Sequence, residues 1–305
     1  MNFKYKCLLQ SFFSALPHGE NLNYFCQKFL TKSLPIDDTS FLNKVRTASS
    51  HLEKFNQYGE EHKRNDLVYY EFGAGWDLVN PIALSLSGRF NKLLCIDIRE
   101  LVFPALIQDT LHKFDRLKKE IPLNYHTIAV HKINKKNFRD ILNNQFNIVY
   151  AAPRDACHTG IESGIIDLIT STVTFEHIPK NDIVNIALEC FRILKPGGIF
   201  SISIDYQDHW SYFDHTISVY NFLSFSETNW KKFNPSLNYQ NRLRDKDYAQ
   251  IFRDSGFEIV EQKPIRASED DLVLLRHMQL DPFFSGNYSI DELGIKGGNF
   301  VLKKN

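Results

Sequence analysis

One stretch constrains the fold more than any other: residues 67–77, Leu-Val-Tyr-Tyr-Glu-Phe-Gly-Ala-Gly-Trp-Asp. Leu67 to Tyr70 is a short apolar run of the kind that forms a buried strand. Glu71 follows it, the chain turns through Gly73 and Gly75, and residues 78–86 are compatible with a helix. Strand, glycine turn and helix is the unit with which an open α/β sheet builds a ligand site at the carboxyl ends of its strands. Glycine serves there twice, because the chain reverses sharply and a ligand can approach the backbone without meeting a Cβ. A dinucleotide fingerprint would place a third glycine where this chain has Leu78, so that pattern is incomplete. A purely structural turn would use the same residues.

The rest of the chain repeats the alternation. Strands are predicted at 67–72, 92–97, 147–150, 165–171, 198–205, 257–265 and 300–303, with helix-compatible segments of crossover length between most of them. That order predicts an α/β, doubly wound, mostly parallel sheet. Residues 1–60 read as an N-terminal helical addition to a main domain spanning 61–305. Leu8, Leu9, Phe12, Phe13 and Leu16 recur at helical spacing, and Pro17-His18-Gly19 breaks the run. A second helix is expected over 22–31, and a third over 41–55 with Asp37 or Asp38 as its cap. Such an addition either covers the mouth of the sheet or serves as scaffold.

Composition narrows the function classes. Lys+Arg and Asp+Glu balance at 36 each, so no net field favours nucleic acid, and none is expected as a partner. The basic cluster Lys132, Lys135, Lys136, Arg139 reads as a solvated helix face. The five cysteines are scattered without metal or redox spacing, which fits a reducing compartment. No run approaches the ~20 apolar residues of a membrane span. The first sixteen residues, interrupted by Gln10 and Ser11, read as an amphipathic helix rather than a signal peptide. A cytoplasmic location is expected.

Further residues fall at the ends of the predicted strands. Asp97, followed by Ile98, ends the second strand about 20 residues beyond the glycine turn, where a carboxylate can accept both hydroxyls of an adenosine ribose. A helix cap would look the same. Asp155-Ala156 follows the third strand, where Asp155 could equally be a turn residue. The fourth strand leads through Ser171 and Thr172 into Glu176-His177-Ile178-Pro179, and a helix then runs to Leu194-Lys195-Pro196-Gly197-Gly198-Ile199-Phe200.

Taken together, Glu71-x-Gly73-Ala74-Gly75, the two acids, Glu-His-Ile-Pro and Leu-Lys-Pro-Gly-Gly resemble the class I S-adenosylmethionine (SAM) methyltransferases over roughly residues 67–265. The resemblance implies a Rossmann-like seven-stranded sheet and SAM as cofactor. It implies that Glu71, Gly73, Ala74, Gly75, Asp97, Ile98, Asp155, Ala156, Ser171 and Thr172 form the cofactor site. SAM carries no phosphate, so the missing third glycine removes nothing it needs.

For the acceptor, a hydroxyl needs a base. His177, after the fourth strand, and His209, in Asp205-Tyr206-Gln207-Asp208-His209 after the fifth, are the candidate catalytic residues; a structural helix-start contact and a plain loop histidine are the alternatives. His215 is a third candidate. Asp205, Asp208 and His209 carry atoms suited to a divalent metal, but such a loop trio is more often hydrogen-bonding, and no metal is expected. The aromatic-rich segment 206–244 reads as a lid insertion that shapes an acceptor pocket, although a helical mini-core would use the same residues. Arg242 and Arg244 at its edge would either grip a phosphate or carboxylate or make salt bridges.

The wider arrangement resembles bacterial methyltransferases of surface-glycan synthesis. That implies a small-molecule acceptor, such as a nucleotide sugar or capsule precursor methylated on oxygen. Methylation of a protein or RNA, and a non-catalytic subunit of the same fold, are the alternatives. Balanced charge and the lack of an RNA-binding motif count against RNA. The joint presence of Glu71, Gly73, Gly75 and Asp97 counts against a retired site.

Overall fold

Along each central strand, side chains alternate between two apolar layers, as a sheet covered on both faces requires. Tyr69, Leu168, Ile199 and Val301 point to one layer, whereas Tyr70, Ile169, Phe200 and Phe300 point to the other. The computed structural model describes residues 3–14, 34–60, 66–123, 125 and 132–305. Leu16, the break at 17–19, the predicted helix over 22–31 and Cys26 lie outside the described residues.

The seven strands are β1 (Leu67–Phe72), β2 (Phe90–Ile96), β3 (Ile148–Ala151), β4 (Ile166–Thr172), β5 (Leu194–Asp205), β6 (Glu258–Ile265) and β7 (Gly297–Lys303). They form one sheet in the order β3-β2-β1-β4-β5-β7-β6, in which only β7 breaks the parallel run, pairing antiparallel with both β5 and β6. This is the Rossmann-like, mostly parallel sheet expected. The largest boundary difference is in β5. Residues 194–197, expected to precede the strand, already belong to it. Leu194 pairs with Ile166, and the ladder resumes after an irregularity with Ile199 opposite Leu168. Gly197 (φ +75°) donates its N–H to Lys304 instead of continuing the β4 ladder.

One face of the sheet carries α2 (Asp38–Tyr58), α3 (Val79–Leu86), α4 (Pro104–Arg116) and α5 (Phe138–Phe146); the other carries α6 (Lys180–Ile193) and α7 (Asp245–Asp254). Asp37 caps α2, its carboxylate accepting from Ser40 N at 2.7 Å. The amphipathic pattern of α2 then buries Phe41, Val45, Ala48 and Phe55 against the sheet. Lys44 of α2 pairs with Asp77 at 2.7 Å, tying this helix to the glycine turn. The N-terminal addition is therefore split. Its α2 is part of the sheet's cover, whereas α1 (Phe3–Ser14) places Phe3 and Cys7 in a separate apolar cluster.

That cluster contains the aromatic segment after β5. Trp210, Tyr220, Phe222 and Trp230 are buried there with Leu275, Phe284 and Leu293, which come from α8 (Glu269–His277), α9 (Pro282–Asn287) and α10 (Ile290–Gly294) between β6 and β7. The mini-core reading holds for these rings. They are consumed in packing the 206–244 insertion, and their polar tips are satisfied internally. Trp210 Nε1 donates to Phe233 O, Trp230 Nε1 to Gln240 O, and the Tyr220 hydroxyl to Gly294 O.

Candidate active site

The carboxyl ends of β1, β2, β4 and β5 converge on one edge of the sheet. At β1, the two glycines answer different demands. Both have positive φ, +70° at Gly73 and +73° at Gly75. A Cβ on Gly73 would lie 2.3 Å from the Thr174 side chain, so this turn and the one after β4 approach too closely for any other residue. A Cβ on Gly75 would meet nothing within 4 Å. Its face opens into free space, as a cradle for a ligand should. Leu78, standing where a third glycine would be, is also left-handed (φ +53°) and fully buried. The backbone of the glycine is kept while the leucine side chain packs the core, at a conformational cost of about 1–2 kcal/mol.

Asp97 lies just beyond β2 and is 5% exposed. Its two oxygens accept from Gly75 N at 3.2 Å and Arg99 N at 3.1 Å. It thus shapes the glycine turn and also caps its own loop, while burial raises its pKa. Ile98 beside it is 62% exposed, an apolar surface fit for a flat ring. Asp155 accepts from Cys157 N at 2.8 Å, as a turn residue does, and is still solvent-exposed; Ala156 packs against the core of the α6 face.

Glu71 is the least comfortable group in the site. It is 2% exposed, Oε2 has no hydrogen-bond partner, and burial pushes its pKa up to about 8, against the opposing help of Tyr69, Asn80 and Lys44. A buried carboxyl with an unmet oxygen is suited to receive a cationic group. Beside it runs a network that sequence reasoning missed. His51 of α2 reaches Ser201 Oγ at 2.7 Å and Thr172 Oγ1 at 3.1 Å, and Asn80 Nδ2 donates to the same Thr172 hydroxyl at 3.2 Å. Burial lowers the His51 pKa to about 4, so the ring is neutral. Ser171 Oγ is buried and has no partner.

The turn after β4 holds Val173 at φ +50°, an outlier for a β-branched residue, and Phe175 to His177 follow as one 3-10 turn. His177 and His209 come together, ring centroids 4.9 Å apart at 60°. His177 Nδ1 donates to Tyr239 O at 2.8 Å. Desolvation, followed by His209, lowers its pKa to about 4. His209 Nε2 lies 3.4 Å from Asp205 Oδ2 and makes no hydrogen bond. The exposed Tyr212 ring stacks on His209 and its hydroxyl donates to Asp205. Glu176 is 1% exposed with neither carboxyl oxygen bonded, and burial drives its pKa well up.

Other candidates are placed elsewhere or already engaged. His215 is exposed in the 213–218 turn. Asp208 is wholly buried, accepting from Trp210 N and Asn221 Nδ2, each at 2.9 Å, so it organises its loop rather than facing the two histidines. The arginines are not anion grips. Arg244, 0% exposed, donates to the carbonyls of Tyr206, Leu293 and Ile295, and Arg242 donates to those of Phe222 and Phe225 and pairs with Glu227. Asn241 between them joins the insertion to the β4 turn. Its N–H donates to Glu176 O, and Nδ2 to Phe175 O and Ile178 O, each at 2.8 Å.

Residues 110–202, from within α4 into β5, match a family model described as a methyltransferase domain. The matched segment is less than half of the chain, and over it the chain is similar to methyltransferase domains. No curated protein matches the chain. Among solved structures, it is similar to a protein from Galdieria sulphuraria described as a sarcosine dimethylglycine methyltransferase (14% identity, TM-score 0.46, 87% of this chain and 86% of that one). It is also similar to geranyl diphosphate C-methyltransferase from Streptomyces coelicolor (12% identity, TM-score 0.45, covering 85% and 80%). Likenesses this distant carry no argument about the acceptor. Among the described residues, no helix is long and apolar enough to cross a membrane.

Proposed function

We propose that this chain is a cytoplasmic SAM-dependent O-methyltransferase acting on a small polar molecule, a hydroxyl of a sugar, nucleotide sugar or sugar-linked phosphoryl group in surface-glycan (capsule) synthesis. One observation carries the reading. The open face at Gly75, beside Asp97, and the His177–His209 pair lie at the ends of neighbouring strands of one sheet.

When bound, SAM supplies a methyl group on a sulfonium centre, already activated for in-line displacement. The protein's share is alignment and proton removal. Asp97 would hold the ribose hydroxyls and Glu71 would receive the ammonium. Gly73, Ala74 and Gly75 would offer backbone to the cofactor, Ile98 and Asp155-Ala156 would serve the adenine, and Ser171 and Thr172 would line the side toward β4. The acceptor sits against the two histidines, where its proton is lost. His209 is the better placed base of the two, because its Nε2 is left without a hydrogen bond and lies 3.4 Å from Asp205 Oδ2. The exposed Tyr212 face and the carboxylate of Asp205 suit a polyhydroxyl ring. With Arg242 and Arg244 committed to carbonyls, a sugar hydroxyl is favoured over a phosphoryl oxygen.

Transfer of labelled methyl from SAM in an extract of producing cells, divided into small-molecule and polymer fractions, tests this. Label is expected in the small-molecule fraction. Label confined to polymer would refute the precursor as acceptor.

A further inference from the structure

Buried polar atoms without partners are rare, because each forfeits its hydration for nothing. Three of the atoms so left belong to two neighbouring side chains: Glu176 Oε1, Glu176 Oε2 and His209 Nε2. His177 completes the set. Its Nδ1–H is spent on the Tyr239 carbonyl, which leaves the Nε2 lone pair as the ring's free acceptor. One ligand atom from each of Glu176, His177 and His209 lies within 4.8 Å of the others. Two imidazoles and a carboxyl with these atoms unengaged form a donor set for a cation, which binds as the carboxyl and the facing ring nitrogens give up their protons.

We infer that Glu176, His177 and His209 form a binding site for one divalent first-row transition cation at the acceptor face. Two imidazoles and one carboxylate select zinc- or manganese-like ions over magnesium and calcium, which prefer all-oxygen shells. Ligand bonds of ~2.1 Å put tetrahedral ligand atoms ~3.4 Å apart, so binding draws the side chains inward by about 1 Å. The support around the ligands is in place. The Tyr239 carbonyl fixes the His177 ring, as an outer partner of a metal-bound histidine does. Asn241 holds the Glu176 and Phe175 carbonyls, and Gln240 Oε1 accepts from His209 N at 3.1 Å. The set differs from the Asp205–Asp208–His209 loop, since Asp208 is turned inward, and Asp205 stands beside the site as a further carboxylate.

The site deepens the O-methylation reading and rests on it for its purpose. An acceptor hydroxyl bound to the cation gives up its proton to water. Its oxygen then forms the bond to the methyl carbon as the carbon–sulfur bond breaks, and the cofactor leaves as the neutral thioether. The histidines would then act through the cation, in place of taking the proton themselves.

Binding can be measured without any acceptor, which separates this inference from the assigned reaction. The full chain, stripped with a chelator and exchanged into clean buffer, is titrated with zinc, manganese and magnesium chlorides in a calorimeter. One equivalent of zinc or manganese is expected to bind, and magnesium far more weakly. Glu176→Gln, nearly isosteric and checked for an unchanged melting profile, and His209→Ala should each weaken binding at least ~10–100-fold. His277→Ala, at an exposed helix end, should leave it unchanged. No stoichiometric binding, or binding that survives both ligand substitutions, would overturn the site. Stoichiometric binding by a protein that transfers no methyl group would keep the site and remove the reaction.

Discussion

Replacing Glu71 by Gln isolates one proton. The Glu71 carboxyl has a folded pKa of about 8 because of burial, against an ordinary value of 4.5. A group with its folded pKa raised binds more protons folded than unfolded. Its favourable contribution is complete below pH 4.5 and is lost as pH rises through 8. Each pH unit within that window is worth about 1.4 kcal/mol, so wild type should lose about 2–3 kcal/mol relative to Glu71→Gln between pH 5.5 and 7.5. Urea unfolding of both proteins across this range reads the difference directly, and other titrating groups cancel in the comparison. Parallel profiles would refute the claim that Glu71 is folded as the neutral acid. SAM extends the test. Its ammonium favours the ionised carboxylate, so cofactor affinity of wild type should rise with pH up to about 8, while that of the Gln variant stays level.

Other substitutions separate cofactor, acceptor and scaffold. Asp97→Ala should weaken SAM binding by about 1–3 kcal/mol through lost charged hydrogen bonds, measured by calorimetry; unchanged affinity in the folded variant would exclude the ribose assignment. His209→Ala should slow turnover by roughly 10²–10⁴-fold with SAM affinity nearly intact, and full activity would remove it from the chemistry. His51→Leu should destabilise the fold by on the order of 2–3 kcal/mol in urea titrations, because the Thr172 and Ser201 hydroxyls lose their shared partner.

Much of the sheet was readable because its strands are apolar runs separated by glycine turns, and the acids and histidines at their ends fell where such a sheet gathers ligands. Positions set by distant neighbours were not. His51 looks like any polar residue on a helix, and its partners are 121 and 150 residues away in sequence. Leu78 hides a left-handed turn behind an ordinary apolar letter. Arg242 and Arg244 read as an anion grip from their charge, yet the structure spends them on backbone carbonyls, because three irregular segments meet there without a strand ladder to satisfy one another. The aromatic run identified an insertion correctly, but could not tell rings turned inward from rings left for a substrate. The unmet oxygens of Glu176 have no signal in sequence at all, since satisfaction is a property of the surroundings.

Asn241 has a mechanical consequence. With its backbone and side chain it holds the carbonyls of Phe175, Glu176 and Ile178 in the β4 turn, and Tyr248 of α7 steadies its own amide oxygen at 3.0 Å. The insertion after β5 therefore cannot swing away as a free flap, because any such movement would pull on the backbone that carries Glu176 and His177. The clasp thus couples the insertion to the turn that presents Glu176 and His177, so a change in one is felt by the other.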